Sequence, residues 1–176
     1  MNALGIAVFA LFHAVQAPPP APAEWTRLRV TDSRTADLLR LGLQQSATLR
    51  ELVAEIEAGK VMVYASSERG LPGRLTGHMK LLGKGGDLRY VKIAVRRSLP
   101  APHFIAALAH EFQHVTELID HPDVRDPETL TTLYRRIGDE RPVRGRVAWE
   151  TDAARQVTRD VRRELLTTHR PRAASR

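Results

Sequence analysis

His110, Glu111 and His114 stand together in the run "LAHEFQHV", at the spacing H-E-x-x-H. On a helix, four residues turn about 400°, so the two imidazoles fall about 40° apart, one turn above the other, where both can grip one ion. Glu111 is offset by about 100° and reaches a water on that ion without being a ligand. Zinc suits neutral imidazole plus carboxylate, and an open fourth position makes such a site catalytic. The ion draws the pKa of its water toward neutrality, and a carboxylate beside it takes the proton as the water attacks a carbonyl. A shuffled chain with 7 His among 176 residues would produce the motif roughly 0.02 times, so a chemical reading outweighs the rival, a solvated helix face with two exposed histidines.

The surrounding residues separate by face. His103, Ala107, His110, His114, Glu117 and His121 form one stripe at three- and four-residue steps, while Phe104, Leu108, Phe112, Val115 and Ile119 form an apolar stripe elsewhere. A helix so divided presents its metal-binding side away from the core side.

The elements that must hold this helix can be read on both sides of it. Asp32 and Ser33 can cap a helix carrying Leu38, Leu39, Leu41 and Leu43, and "TLRE" at 48–51 has capping-box form. With Gly59 as a stop, one long helix is expected over about 33–58, broken near Ser46 if at all. "KVMVYAS" predicts a strand at 61–65, Arg74 to Leu82 a second, and "LRYVKIAV" a third. Three strands so close in sequence are expected to pair antiparallel. Pro100 and Pro102 open the motif helix, which stops by Pro122. A short helix is expected over 127–137, a loop at "GDERPVRG", and a last helix over about 146–168.

Composition narrows the possibilities. With 43% hydrophobic and 27% charged residues, the chain is that of an ordinary globular domain rather than a disordered one. It has no cysteine, which excludes disulfides and leaves His and carboxylates to build any transition-metal site. The net charge of +7 comes mostly from arginine and favours anionic partners, but no nucleic-acid motif accompanies it and aromatics that could stack bases are few. Residues 1–23 are read apart from the fold. The apolar run from Ala3 to Ala17 has the length of a signal-peptide core, with Val15-Gln16-Ala17 and Ala21-Pro22-Ala23 as cleavage boxes and a Pro/Ala linker over 18–23. Export to the periplasm or the medium is the expectation. An uncleaved segment that tethers the chain to a membrane is the alternative, and residues 24–176 form a single domain in either case.

A helix bearing H-E-x-x-H after a small sheet, followed by a helix that brings a carboxylate, resembles the zincin metallopeptidases, and among them the gluzincins, whose third ligand is a glutamate on that later helix. The resemblance covers residues 33–168 in the order of elements, but in residues only the motif and one downstream acid. It implies an α+β, zincin-like fold, with a small antiparallel sheet against an active-site helix and a C-terminal ligand-bearing helix. It also implies one zinc per chain on His110, His114 and Glu150, with Glu111 as general base and peptides or proteins as substrates laid along an edge strand within 61–98 by β-augmentation.

Glu150 shares an expected helical stripe with Val147, Ala154, Val157, Val161 and Leu165, a place where a carboxylate is costly unless paired or metal-bound. The rival third ligand is Asp120, six residues after His114 as in the metzincin pattern. That pattern requires glycine where this chain has Glu117 and a later Met-turn, yet no Met follows Met79. Glu117 and His121 complete the set of candidates. Many gluzincins hold a histidine with an aspartate four residues after the ligand glutamate, which is Ala154 here, so the residue orienting the ligands is left unassigned. Tyr134, His121 and the arginines near 135–146 are candidate donors to the polarised oxygen, with a core role as the alternative for Tyr134. The reading from a different class is a zincin-fold metal-binding or regulatory module without protease activity; the presence of Glu111, which a metal-holding site does not need, favours the hydrolase.

Overall fold

The computed structural model describes residues 25–143 and 146–168, with the backbone alone for 141–143, 146–148 and 168. The leader and linker proposed for residues 1–23 lie outside the described residues. The chain is α+β, running β1 (Leu28–Val30), α1 (Ser33–Gln45), α2 (Ala47–Ala58), β2 (Val61–Glu68), β3 (Gly77–Gly85), β4 (Leu88–Arg96), α3 (Ala101–Ile119), α4 (Pro127–Ile137), β5 (Asp139–Val143), β6 (Arg146–Glu150) and α5 (Asp152–Thr168).

The expected antiparallel sheet is instead mixed. Its order is β1-β2-β4-β3, with β1, β2 and β4 parallel and β3 antiparallel to β4. After β2 the chain passes the place beside it, runs β3 along the outside, and returns through the tight turn at Gly86 as β4 between them. Burial explains the arrangement. In β4, Val91, Ile93, Ala94 and Val95 are all buried, as suits a strand with neighbours on both sides, whereas β3 carries the half-polar "GHMKLLGKG" that tolerates an edge. β1 was not expected. Three residues are too few for a periodic signal, and it is fastened from outside: the Glu57 carboxylate accepts the backbone N–H groups of Thr26, Arg27 and Leu28.

The single helix expected over 33–58 is two. Ser46 leaves the helical region (φ −122°, ψ 120°), and its hydroxyl accepts the N–H of Leu49 to start α2. That hydroxyl in turn donates to Glu164 of α5, so a contact 118 residues away fixes the break. At the other end of α1, Asp32 accepts four hydrogen bonds, from the N–H and hydroxyl of Thr35 and of Ser67, and so ties α1 to β2. Burial pushes this carboxylate's pKa up, but the bonds from Ser67 and Thr35 outweigh it and hold the pKa below its ordinary value. A depressed acid stabilises the fold fully above its unfolded pKa, and the contribution disappears as pH falls through the folded value. Asp32→Ala should therefore cost about 0.5–2 kcal/mol at pH 7, and its urea unfolding curve should converge on wild type in acid. A gap that stays constant down to acid unfolding would contradict this.

α3 lies at the centre. Phe104, Leu108, Phe112 and Val115 pack in the main core with Val61, Val63, Ile93 and Val95 of the sheet, and with Leu49, Val53 and Ile56 of α2. The expected polar stripe is not a solvated face. His114 and Glu117 are buried, covered by α5 and α4. The region expected as a loop followed by a helix from 146 is a hairpin, β5 with β6, in which Asp139 pairs with Glu150. The sequence "RVAWE" alternates, which suits a strand. Thr151 then caps α5, its hydroxyl accepting the Ala154 N–H.

Candidate metal centre

α3 brings His110 and His114 to its α5 side, with ring centroids 4.9 Å apart and planes nearly perpendicular. Each ring is fixed through Nδ1. The Thr158 hydroxyl lies 3.0 Å from His110 Nδ1 and 2.9 Å from the Ala154 carbonyl. It has one proton, which goes to the carbonyl, so it accepts from His110 Nδ1–H and leaves the Nε2 lone pair free. His114 Nδ1 lies 2.8 Å from Glu117 Oε2, and the other oxygen of Glu117 accepts the Thr151 hydroxyl. In its neutral form His114 thus donates from Nδ1 to the carboxylate and also keeps a free Nε2.

Two threonines and a glutamate supply the orientation that the sequence left unassigned. Glu117 is therefore placed behind His114 rather than beside Nε2. The i, i+3 step from His114 to Glu117 is visible in the sequence; Thr151 and Thr158 carry no signal there, because their roles depend on how α5 docks.

Glu150 occupies the last position of β6, not the helical stripe expected for it. Its Oε1 comes within 3.4 Å of His110 Nε2. The same atom is buried and has no hydrogen-bond partner among the described residues. Its charge acts on both His114 and Glu111. Among the described residues, no three or more His, Asp or Glu side chains stand as a group that could hold a metal ion.

Glu111 is 5% exposed. Burial foremost, and then the charges of Glu150 and Glu117, push its pKa up to about 7 against the pull of His114. Burial foremost and the neighbouring His114 push His110 down to about 4. For His114, burial opposes the charged form, but the Glu117 carboxylate prevails and raises the pKa. Gly77, the first residue of β3, makes room for Glu111: a Cβ there would lie 2.7 Å from Glu111 Oε1 and 3.0 Å from Cγ. The segment entering β3 is fastened by Arg96, whose guanidinium donates to the carbonyls of Leu71, Gly73 and Leu75. β3 is thus the edge strand that borders the site, and its glycine was not singled out in the sequence.

The other candidates lie elsewhere. α3 continues helically through Glu117, and Asp120 is an exposed C-cap whose charge raises Glu55 of α2. The His121 carbonyl accepts from Arg89, at the start of β4. Gly77 pairs with Val95 at the opposite end of that strand, six residues or about 20 Å away. Tyr134 is buried, packs edge-on against His114 at 5.3 Å, and donates to the His114 carbonyl at 3.3 Å. Burial, then Glu117 and Glu111, raise its pKa well above the ordinary value. It steadies the back of α3, as the core alternative had it.

Alanine at Gly77 should displace the Glu111 carboxylate while leaving both histidines and Glu150 untouched. If Glu111 is the base, Gly77→Ala should keep its metal and lose activity by about 10²-fold, the scale of a 1 Å misplacement. Unchanged turnover would show that Glu111 is not positioned by this glycine.

A cleft of about 340 Å³ opens beside the site, between α3 and α5, with His110 and Glu150 in its wall and Thr76 at the approach to β3. In comparisons with protein-family models, with curated proteins and with solved structures, nothing matches this chain.

Proposed function

We propose that the protein is a zinc-dependent peptidase of zincin-like design, with His110, His114 and Glu150 as ligands and Glu111 as general base. The observation that carries the reading is the Glu150 oxygen, buried and without a hydrogen-bond partner among the described residues, 3.4 Å from His110 Nε2. A buried carboxylate oxygen without a hydrogen bond is costly, and a cation shared with the imidazole removes the cost. The separation fits: two ligands at about 2.1 Å from a tetrahedral zinc stand about 3.4 Å apart. Both histidines turn Nδ1 to an oxygen, the arrangement in which ligating histidines are held. The exposed position of Asp120, at the C-cap of α3, favours Glu150 as the third ligand.

Bound zinc supplies Lewis acidity toward a carbonyl and a water. The chain's own residues do the rest. Glu111, wedged against Gly77, accepts the proton of the attacking water and passes it to the departing amine, as the C–O bond forms and the C–N bond breaks. The edge of β3 offers main-chain hydrogen bonds to an extended peptide. Thr158, Glu117 and Thr151 hold the two imidazoles. The test is digestion of a peptide library by zinc-reconstituted protein, with and without a chelator. Cleavage abolished by the chelator and restored by zinc is expected. Full zinc binding without any cleavage would instead support the metal-binding module.

Export belongs to the same proposal and rests on residues 1–23. A fusion of residues 1–30 to a reporter should leave the cytoplasm; a reporter retained there would remove this part and leave the metal site standing.

A further inference from the structure

The two flanks of α5 carry opposite charge. Its core stripe is Ala154, Val161 and Leu165, all buried, with Thr158 on His110. One flank holds Asp160 and Glu164, and Glu164 is spent on Ser46 and Thr48. The other holds Arg155, Arg159 and Arg162 at i, i+4 and i+7, and all three line the cleft that contains His110 and Glu150. An amphipathic helix needs polar residues beside its core stripe, but it does not need three arginines in register along a concave wall.

Arg159 and Arg162 leave charge to spare, whereas Arg155 is held by two carboxylates. Arg155 is anchored by Asp139 and Asp152 through Nη2, with its Nη1 buried and unpartnered among the described residues. Arg159 donates to the uncharged Gln156, and Arg162 has no hydrogen bond or ion pair among the described residues. Glu150 is the single carboxylate among the described residues lining the cleft. The opposite wall is α3, with His103 and Ala107 at the same helical steps from His110.

We propose that this cleft is a receptor for substrate carboxylates, so that the chain acts on acidic peptides; this rests on the peptidase reading. The seven helical steps from Arg155 to Arg162 span about 10 Å, the length of about three residues of extended chain. The arginine row therefore faces the side chains at two alternate positions, i and i+2, of a strand running away from the scissile bond. Arginine suits the task because its planar fork pairs two-for-two with a carboxylate. Asp and Glu side chains and the free C-terminus of a peptide present the same anion, and the probes distinguish them.

The probes are two mixtures of fluorescent ten-residue peptides, one with Asp or Glu at three consecutive positions and one with Asn or Gln there, each as free acid and as C-terminal amide. They are bound to zinc-loaded Glu111→Gln, which holds peptides without turning them over. The acidic mixture should bind at least ten-fold tighter, with the margin shrinking as salt rises. Tighter binding of the Asp/Glu mixture than of the Asn/Gln mixture assigns the site to side chains, and tighter binding of the free acids than of the C-terminal amides in both mixtures assigns it to the terminus; either supports the receptor. Arg159→Glu with Arg162→Glu, on an exposed flank that leaves the core intact, should reverse the preference toward a Lys-containing mixture. Equal binding of all four probes, or a preference for the anionic probes that is unchanged in the charge-reversed protein, overturns the inference. The two readings fail separately. Chelator-sensitive cleavage without acidic preference leaves the peptidase and removes the receptor, while acid-selective binding without any cleavage does the reverse.

Discussion

Glu111→Gln should retain zinc at the wild-type level and lose peptide hydrolysis by about 10²–10⁴-fold, the range for removing a general base. The substitution keeps the size of the side chain, its helix preference and its fit against Gly77. It removes only the capacity to take a proton. A glutamate buried to this degree has no stabilising role that requires a charge, and burial already favours its neutral form. The folded protein should therefore be as stable as wild type or slightly more so, which separates a chemical loss from a structural one. Activity above a tenth of wild type, with metal retained, would remove Glu111 from the chemistry and favour a metal-holding module.

Glu150→Ala should act on the metal itself. Loss of a residue that only orients a ligand costs about 10–100-fold in metal affinity, and loss of a ligand should exceed that. The metal-free protein gives a second readout of opposite sign. There Glu150 is half-buried, with one buried oxygen that has no hydrogen-bond partner among the described residues, so its removal should leave thermal stability unchanged or raise it. Zinc should then stabilise wild type according to its affinity and leave the variant nearly unmoved. Asp120→Ala, at an exposed C-cap, should bind zinc as wild type does. The reverse pattern, with Asp120→Ala losing zinc and Glu150→Ala holding it, would assign the third ligand to the local acid.

What could be read from the sequence was what a single helix contains. His110, Glu111 and His114 meet because four-residue steps stack on any α-helix, and the start and end of α3 and α4 follow from proline and capping residues close to them. Errors arose where the deciding contact is distant. The break near Ser46 was legible, but not the contact that fixes it: Glu164 receives its hydroxyl, and nothing within 33–58 announces that partner. The sheet is mixed because β4 inserts between β2 and β3, a choice of topology that alternating residues do not encode. Glu150 was recognised as a costly acid on the wrong element: residues 146–150 pair with 139–143 as a hairpin, and the helix begins only after Thr151. Gly77, Thr151 and Thr158 were invisible for the same reason, since each acts across an interface on a residue 34 or more positions away.

Metal analysis of the purified, zinc-reconstituted chain tests the proposed centre most directly, read alongside circular dichroism and together with His114→Ala. The expected result is about one zinc per folded wild-type chain, because three ligands and two oriented imidazoles make a single site, and close to none in the variant. A folded wild-type chain that holds no zinc after reconstitution, or a His114→Ala chain that holds as much as wild type, would contradict it.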